Sequence, residues 1–202
     1  MPRSRADFEL LFQFSKALSV ALGFRDIYTK LHSERVRDLA CLLGEACGLD
    51  EHGLEELRIA AAFHDIGKIG IPDRLLAKVE RLEHEERAEI ERHPLIGEEI
   101  LSAVGLPGAA EAARIIRHHH ERYDGSGYPD GLSGDAIPVA ARIISVVDSY
   151  DAMAERRSYH APRGHRQIVA VLYEERGGKH DPEILDTFLR IIETSLLRAP
   201  DA

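Results

Sequence analysis

Two carboxylates occur where this chain should be entering its core. Asp65, with His64 before it, follows the apolar run Ile59-Ala60-Ala61-Ala62-Phe63, and Asp148 follows Ala140-Ala141-Arg142-Ile143-Ile144-Ser145-Val146-Val147, a stretch apolar on most of a helical circumference. A carboxylate withdrawn from water without a partner is strongly penalised, so each position demands a cation, a proton or several hydrogen-bond donors. Two such groups on different helices repel one another unless positive charge lies between them. Metal ions would supply it.

Eleven histidines accompany these carboxylates. His32 shares a helical face with Val36, Leu39 and Leu43 and, alone, reads as a core histidine. His93 precedes Pro94, which biases it out of helical geometry and into a cap. His118-His119-His120 closes the helix after Gly108, where neighbours 100° apart can present two imidazoles to one cleft; the same run also reads as a solvated helix end. Together His32, His64, Asp65, His93, His119, His120 and Asp148 form a set of nitrogen and oxygen donors without a thiolate. Seven donors exceed what one ion with an open position needs, and they suit two ions sharing a bridging carboxylate. The mixture favours Fe, Mn, Ni or Zn over a cysteine-held structural zinc. Paired ions about 3.5–4 Å apart are a recurrent device for hydrolysing phosphate esters.

Helical periodicity predicts an all-α fold, with helices over 6–22, from Asp26 to Cys47 with Gly48 as its stop, over 53–66 ended by Gly67, and near 74–78, 84–92, 94–104 and 108–121. Pro94, Pro138 and Pro182 suit first helical positions, the last capped by Asp181. The rhythm breaks between Arg122 and Ile137, where Gly125, Gly127, Pro129, Gly131 and Gly134 crowd into one loop; Tyr123 and Tyr128 within it favour an ordered, functional loop. One domain over 1–202, with its core over about 14–190, is the simplest parse. No apolar run approaches the roughly 18 residues of a membrane span. Asp7, Glu9, Gln13 and Lys16 interrupt any signal-peptide core, which points to the cytoplasm. A net charge of −9 argues against a general grip on DNA or RNA. Cys41 and Cys47, on different helix faces, read as buried reduced thiols.

Five segments in register resemble the HD-GYP family of bacterial cyclic-di-GMP phosphodiesterases: His32-Ser33-Glu34-Arg35-Val36, His64-Asp65-Ile66-Gly67-Lys68-Ile69-Gly70-Ile71-Pro72, His93-Pro94, His119-His120-Glu121-Arg122-Tyr123-Asp124-Gly125-Ser126-Gly127-Tyr128-Pro129 and Val147-Asp148-Ser149-Tyr150-Asp151-Ala152-Met153. The resemblance implies an HD-domain helical bundle with a Gly/Pro-rich GYP loop. It implies one ion held by His32, His64, Asp65 and Asp148, a second by His93, His119 and His120, and Asp65 bridging both, with Fe or Mn ahead of Ni or Zn. Some members hold a third ion through a glutamate one turn before the first histidine; Tyr28 stands there in this chain. A hydroxide bridging the two ions, available because metal binding brings the pKa of water from about 15.7 towards roughly 7, would attack phosphorus and open cyclic-di-GMP to pGpG or on to GMP. The metals' charge also explains how an acidic chain accepts an anionic substrate.

Lys68 then matches a further cation at the phosphate or leaving oxygen. Arg157 matches the family's substrate arginine, and Arg25 with Asp26 the pair near the pocket mouth, where Asp26 is equally readable as a helix cap. Tyr128 would pack or hydrogen-bond at the pocket wall, Gly125 and Gly127 would supply positive φ, and the loop would carry contacts to protein partners. A homodimer is compatible with the resemblance, and mixed cyclic dinucleotides are an open alternative as substrate. Departures are Val79-Glu80-Arg81-Leu82-Glu83 for Pro-Gly-Lys-Leu-Thr, Ser158-Tyr159-His160 for Pro-Tyr-Arg, and His180 for phenylalanine, read as a surface substitution. The rival expectation is a binding module that holds cyclic-di-GMP and signals with negligible turnover.

Overall fold

The structure is a computed structural model that describes residues 10–13, 16–18, 20, 23, 24, 27–106, 108–155 and 163–201; of residues 27–29 it describes the backbone alone. Residues 10–13 and 16–18 are helical, within the first expected helix. There follow α1 (Ile27–Ala46), α2 (Glu51–Phe63), α3 (Asp73–Leu76), α4 (His84–Ile90), α5 (His93–Ser102), α6 (Ala109–His118), α7 (Val139–Ala154), α8 (His165–Glu174) and α9 (Pro182–Ile192), with 3-10 turns at Ile66–Gly70 and Gly134–Ala136. Among the described residues no strand occurs beyond an isolated bridge between Arg176 and His180. The fold is all-α, and none of its described helices is long and apolar enough to cross a membrane.

Helix α7 is the axis of the molecule. Ala141, Ile143, Ile144, Val146 and Val147 expose no surface at all, so this helix is apolar on nearly every side and packs against α1, α2, α6, α8 and α9. Each of its larger aliphatic side chains contributes roughly 1.5–3 kcal/mol on burial. The surrounding helices are amphipathic: α9 buries Ile184, Leu185, Phe188 and Ile192, and α6 buries Ala112, Ala113, Ile115 and Ile116. With its axis this firmly held, α7 carries Asp148 and Asp151 at a fixed depth.

Several helix ends differ from expectation, each for a local reason. Helix α2 starts at Glu51 because Asp50 Oδ1 accepts the Gly53 N–H at 2.8 Å. It stops at Phe63, not Ile66, and the chain tightens into the 3-10 turn. Gly67 lies inside that turn and does not end the helix; it is required because a Cβ there would overlap the His93 carbonyl oxygen. His93 is the first residue of α5, not its cap, since Pro94 in the first turn meets no preceding helical carbonyl. Gly48, at φ +78°, stops α1 as expected. Both cysteines are free thiols but half-buried, not fully buried.

The Arg122–Ile137 loop is ordered by Glu121, whose buried carboxylate accepts the Asp130 N–H at 2.7 Å and the Leu132 N–H at 3.1 Å. Tyr123 and Asp124 donate their N–H groups to the Lys179 and Gly178 carbonyls, pinning the loop to the turn before α9. Gly125 takes φ +83°, as expected. Gly127 does not; its missing Cβ instead lets the chain lie against the backbone of residues 120–122. His180 is not at the surface: it is 1% exposed, with Nε2 3.1 Å from Glu175 and Nδ1 3.5 Å from Ser145 Oγ. A polar ring replaces phenylalanine there because both nitrogens find partners. Arg25, Asp26, Arg157 and Ser158-Tyr159-His160 lie outside the described residues.

Candidate metal centre

The seven expected donors come from five places in the fold: His32 from α1, His64 and Asp65 from the turn after α2, His93 from the start of α5, His119 and His120 from the end of α6, and Asp148 from α7. They meet in two triads. His32, His64 and Asp148 each offer a ligand atom within 4.8 Å of the other two, and so do His93, His119 and His120. Asp65 lies between the triads: Oδ2 is 4.0 Å from His32 Nε2 and 3.6 Å from His64 Nε2, while Oδ1 is 3.5 Å from His93 Nε2. One carboxylate thus faces both halves.

Ring orientation is fixed from behind. His64, His93 and His119 each place Nδ1 near the carbonyl three residues back, on Ala61 at 2.8 Å, Ile90 at 2.9 Å and Ile116 at 2.6 Å. With Nδ1–H donating there, each Nε2 carries a lone pair directed inward. Those three Nε2 atoms are buried and make no hydrogen bond. Buried polar atoms are rarely left so, and three lone pairs aimed at one another's neighbourhood fit a divalent cation. The donor set therefore suits the metals that the sequence implies.

The electrostatics divide along the same line. Burial lowers the pKa of His93 to about 4 and that of His119 to about 3, and it holds His120 well below the ordinary histidine value, so these rings stay neutral. Burial acts against protonation of His32 too, but its bonds to Asp148 at 2.9 Å and Asp151 at 2.7 Å overcome this and raise its pKa to about 9. Burial disfavours the charged forms of Asp65 and Asp148, yet Lys68 and the histidines hold Asp65, and His32 holds Asp148, well below the usual carboxylate range. Lys68 Nζ is 2.6 Å from Asp65 Oδ2.

The opening of the centre is marked by exposure. The side chains of Asp148 and Lys68 are 18% and 22% exposed, against 4% for Asp65, so the first two face solvent across the buried third. His120 and Tyr128 are half-buried beside them, their rings 5.0 Å apart. Burial raises the Tyr128 hydroxyl pKa, which keeps it a donor. Two further groups belong to the site though their motif gave them no role. Asp151 bonds His32 Nδ1, and Arg35 grips Asp151 with Nε at 2.7 Å and Nη2 at 2.9 Å. Their spacing was the available signal: Arg35 is three residues after His32, and Asp151 three after Asp148, each pair on one helix face.

The HD-domain family model matches residues 22–184. The chain is 43% identical over 173 residues to the cyclic di-GMP phosphodiesterase response regulator RpfG of Xanthomonas campestris pv. campestris, covering 86% of this chain and 46% of that protein. It is 39% identical over 183 residues to a cyclic di-GMP phosphodiesterase of Thermotoga maritima, covering 91% and 50%. The chain thus spans about half the length of these curated relatives. Among solved structures, Bd1817, an HDG"Y"P protein from Bdellovibrio bacteriovorus, superposes with a TM-score of 0.68 at 18% identity, covering 94% of this chain and 66% of that one; the likeness is one of fold.

Proposed function

The chain belongs to the HD-domain family, and on that premise we propose that it is a metal-dependent phosphodiesterase that hydrolyses cyclic-di-GMP to linear pGpG. The observation that carries this reading is the convergence of two donor triads on one carboxylate, Asp65, with three buried imidazole nitrogens unpartnered around it. In this reading His32, His64, Asp65 and Asp148 hold one divalent ion and His93, His119, His120 and Asp65 the other; donor type allows Fe, Mn, Ni or Zn, and the family resemblance puts Fe or Mn first. Bound ions of this kind neutralise phosphate oxygens and acidify water.

The chain's own residues do the rest. Asp65, ionised by its cationic surroundings, holds the two halves in register. Lys68 faces the opening and brings a positive charge to the phosphodiester while its contact to Asp65 positions it. Tyr128, its proton retained by burial, donates to a substrate oxygen at the wall. The core helices exclude bulk water from the inner face, which strengthens each of these charge interactions. Cyclic-di-GMP is preferred over a mixed dinucleotide because relatives named for it share 43% and 39% identity with the chain, against 34% for a relative named for 3'3'-cGAMP.

The test is anaerobic purification with metal analysis, followed by chromatography of the products of cyclic-di-GMP and of a mixed cyclic dinucleotide. The expected result is about two metal equivalents, pGpG formation from cyclic-di-GMP, and loss of both in Asp65→Ala. Nucleotide bound by the metal-loaded protein without turnover would overturn the enzyme reading in favour of a binding module.

A further inference from the structure

The four most deeply buried histidines of the centre are not oriented by the same means. His64, His93 and His119 lean on backbone carbonyls of their own preceding turns. His32 leans on a side chain from another helix, with Nδ1 2.7 Å from Asp151 Oδ2. Asp151 is 5% exposed and would be costly to bury alone. It is gripped by both arms of the Arg35 fork, whose Nη2 also lies 2.8 Å from Glu155. The Arg35 side chain is 40% exposed and lines an open groove of about 400 Å³ shared with Leu39, Tyr150, Leu197 and Pro200.

We infer that Asp151 and Arg35 are positioning residues for the His32 half of the centre: Arg35 fixes the carboxylate, and the carboxylate fixes the His32 ring with Nε2 turned towards Asp148 and Asp65. This rests on the metal reading above. A network that served packing alone would have no need to end on an inward-facing imidazole. A carboxylate on the far nitrogen sets the tautomer and raises the electron-donating power of the near one, and removing such a partner costs about 10–100-fold in metal affinity. The effect is confined to one triad because His93, His119 and His120 have no contact with either residue among those described. Among these four histidines, His32 is therefore the one whose setting is reached from the surface, through Arg35.

The experiment is equilibrium dialysis of Mn²⁺ into metal-stripped protein, with thermal unfolding recorded on the same samples. In Asp151→Asn, which keeps the shape and removes the charge, one of two Mn²⁺ equivalents is expected to weaken about 10–100-fold while the other is unchanged. Asp151→Glu is expected to recover part of that loss. Arg35→Lys, which keeps the charge and loses the fork, is expected to give a smaller loss in the same equivalent. Equal weakening of both equivalents in step with a fall in Tm, or no weakening of either, would overturn the assignment. Wild-type protein that takes up no Mn²⁺ would overturn it together with the metal reading. Uptake of two equivalents without hydrolysis of cyclic-di-GMP would remove the proposed activity and leave the assignment to be decided by the variants' dialysis curves, as above.

Discussion

The His93–His119–His120 triad and the His32–His64–Asp148 triad lie side by side and share Asp65, yet they are made from different materials. The first is three neutral rings, two of them held by backbone carbonyls three residues back and all kept unprotonated by burial. The second includes a carboxylate and a histidine tied to two more charged side chains, Asp151 and Arg35. Backbone carbonyls come with the helix and cannot be exchanged, so the first triad is preset by folding. The second depends on side chains from α1 and α7 finding one another, and so responds to changes elsewhere. In the proposed two-ion reading, one half is therefore fixed and the other adjustable.

The comparison breaks most sharply on single donors. His119→Ala and His64→Ala are each expected to remove one metal equivalent, a different one, and to lower cyclic-di-GMP hydrolysis at least about a thousandfold, since each ion supplies several kcal/mol of transition-state stabilisation; metal analysis beside product chromatography checks this. Lys68→Met is expected to leave both equivalents in place and lower the rate about a hundredfold, the cost of one lost charge at the phosphate. Gly67→Ala is expected to weaken both equivalents together, at a stability cost of about 1–3 kcal/mol from overpacking, measured by denaturant unfolding.

The smallest effect separates the halves by pH in the metal-free protein. His32, raised to about 9 from 6.5, contributes stability that is complete below pH 6.5 and lost as pH rises towards 9. His93 and His119, lowered to about 4 and about 3, contribute stability that is complete above pH 6.5 and lost as pH falls through 4. Tm recorded in chelator from pH 4 to 9 should decline at both ends. His32→Gln should flatten the alkaline decline and His119→Gln the acid one, by about 2–4 °C for each kcal/mol involved.

Much of this was legible in the sequence because burying charge is so unfavourable: Asp65 and Asp148 announced themselves by interrupting apolar helices, and the histidines nearest in pattern proved nearest in space. Helix existence followed from periodicity, while ends such as Phe63 and Glu51 were set by a tertiary stop and a local cap that periodicity does not encode. Asp151 and Arg35 went unassigned because an Asp or Arg on a helix reads as solvated until its cross-helix partner is known. His180 reads as a surface residue because one of its partners, Ser145, stands 35 residues away in sequence on α7. Helix α8 carries no distinctive motif that would mark its ends.

The contact at Gly67 has a consequence for how such a centre can change over time. Where Gly67, in the turn after Asp65, meets the start of α5, main chain rests on the main chain of His93 and Gly97. The gap across the shared carboxylate is consequently gauged by peptide groups, which are the same whatever residues flank them. Drift in the lining can exchange donors, but the span between the two donor triads stays as the fold has cut it.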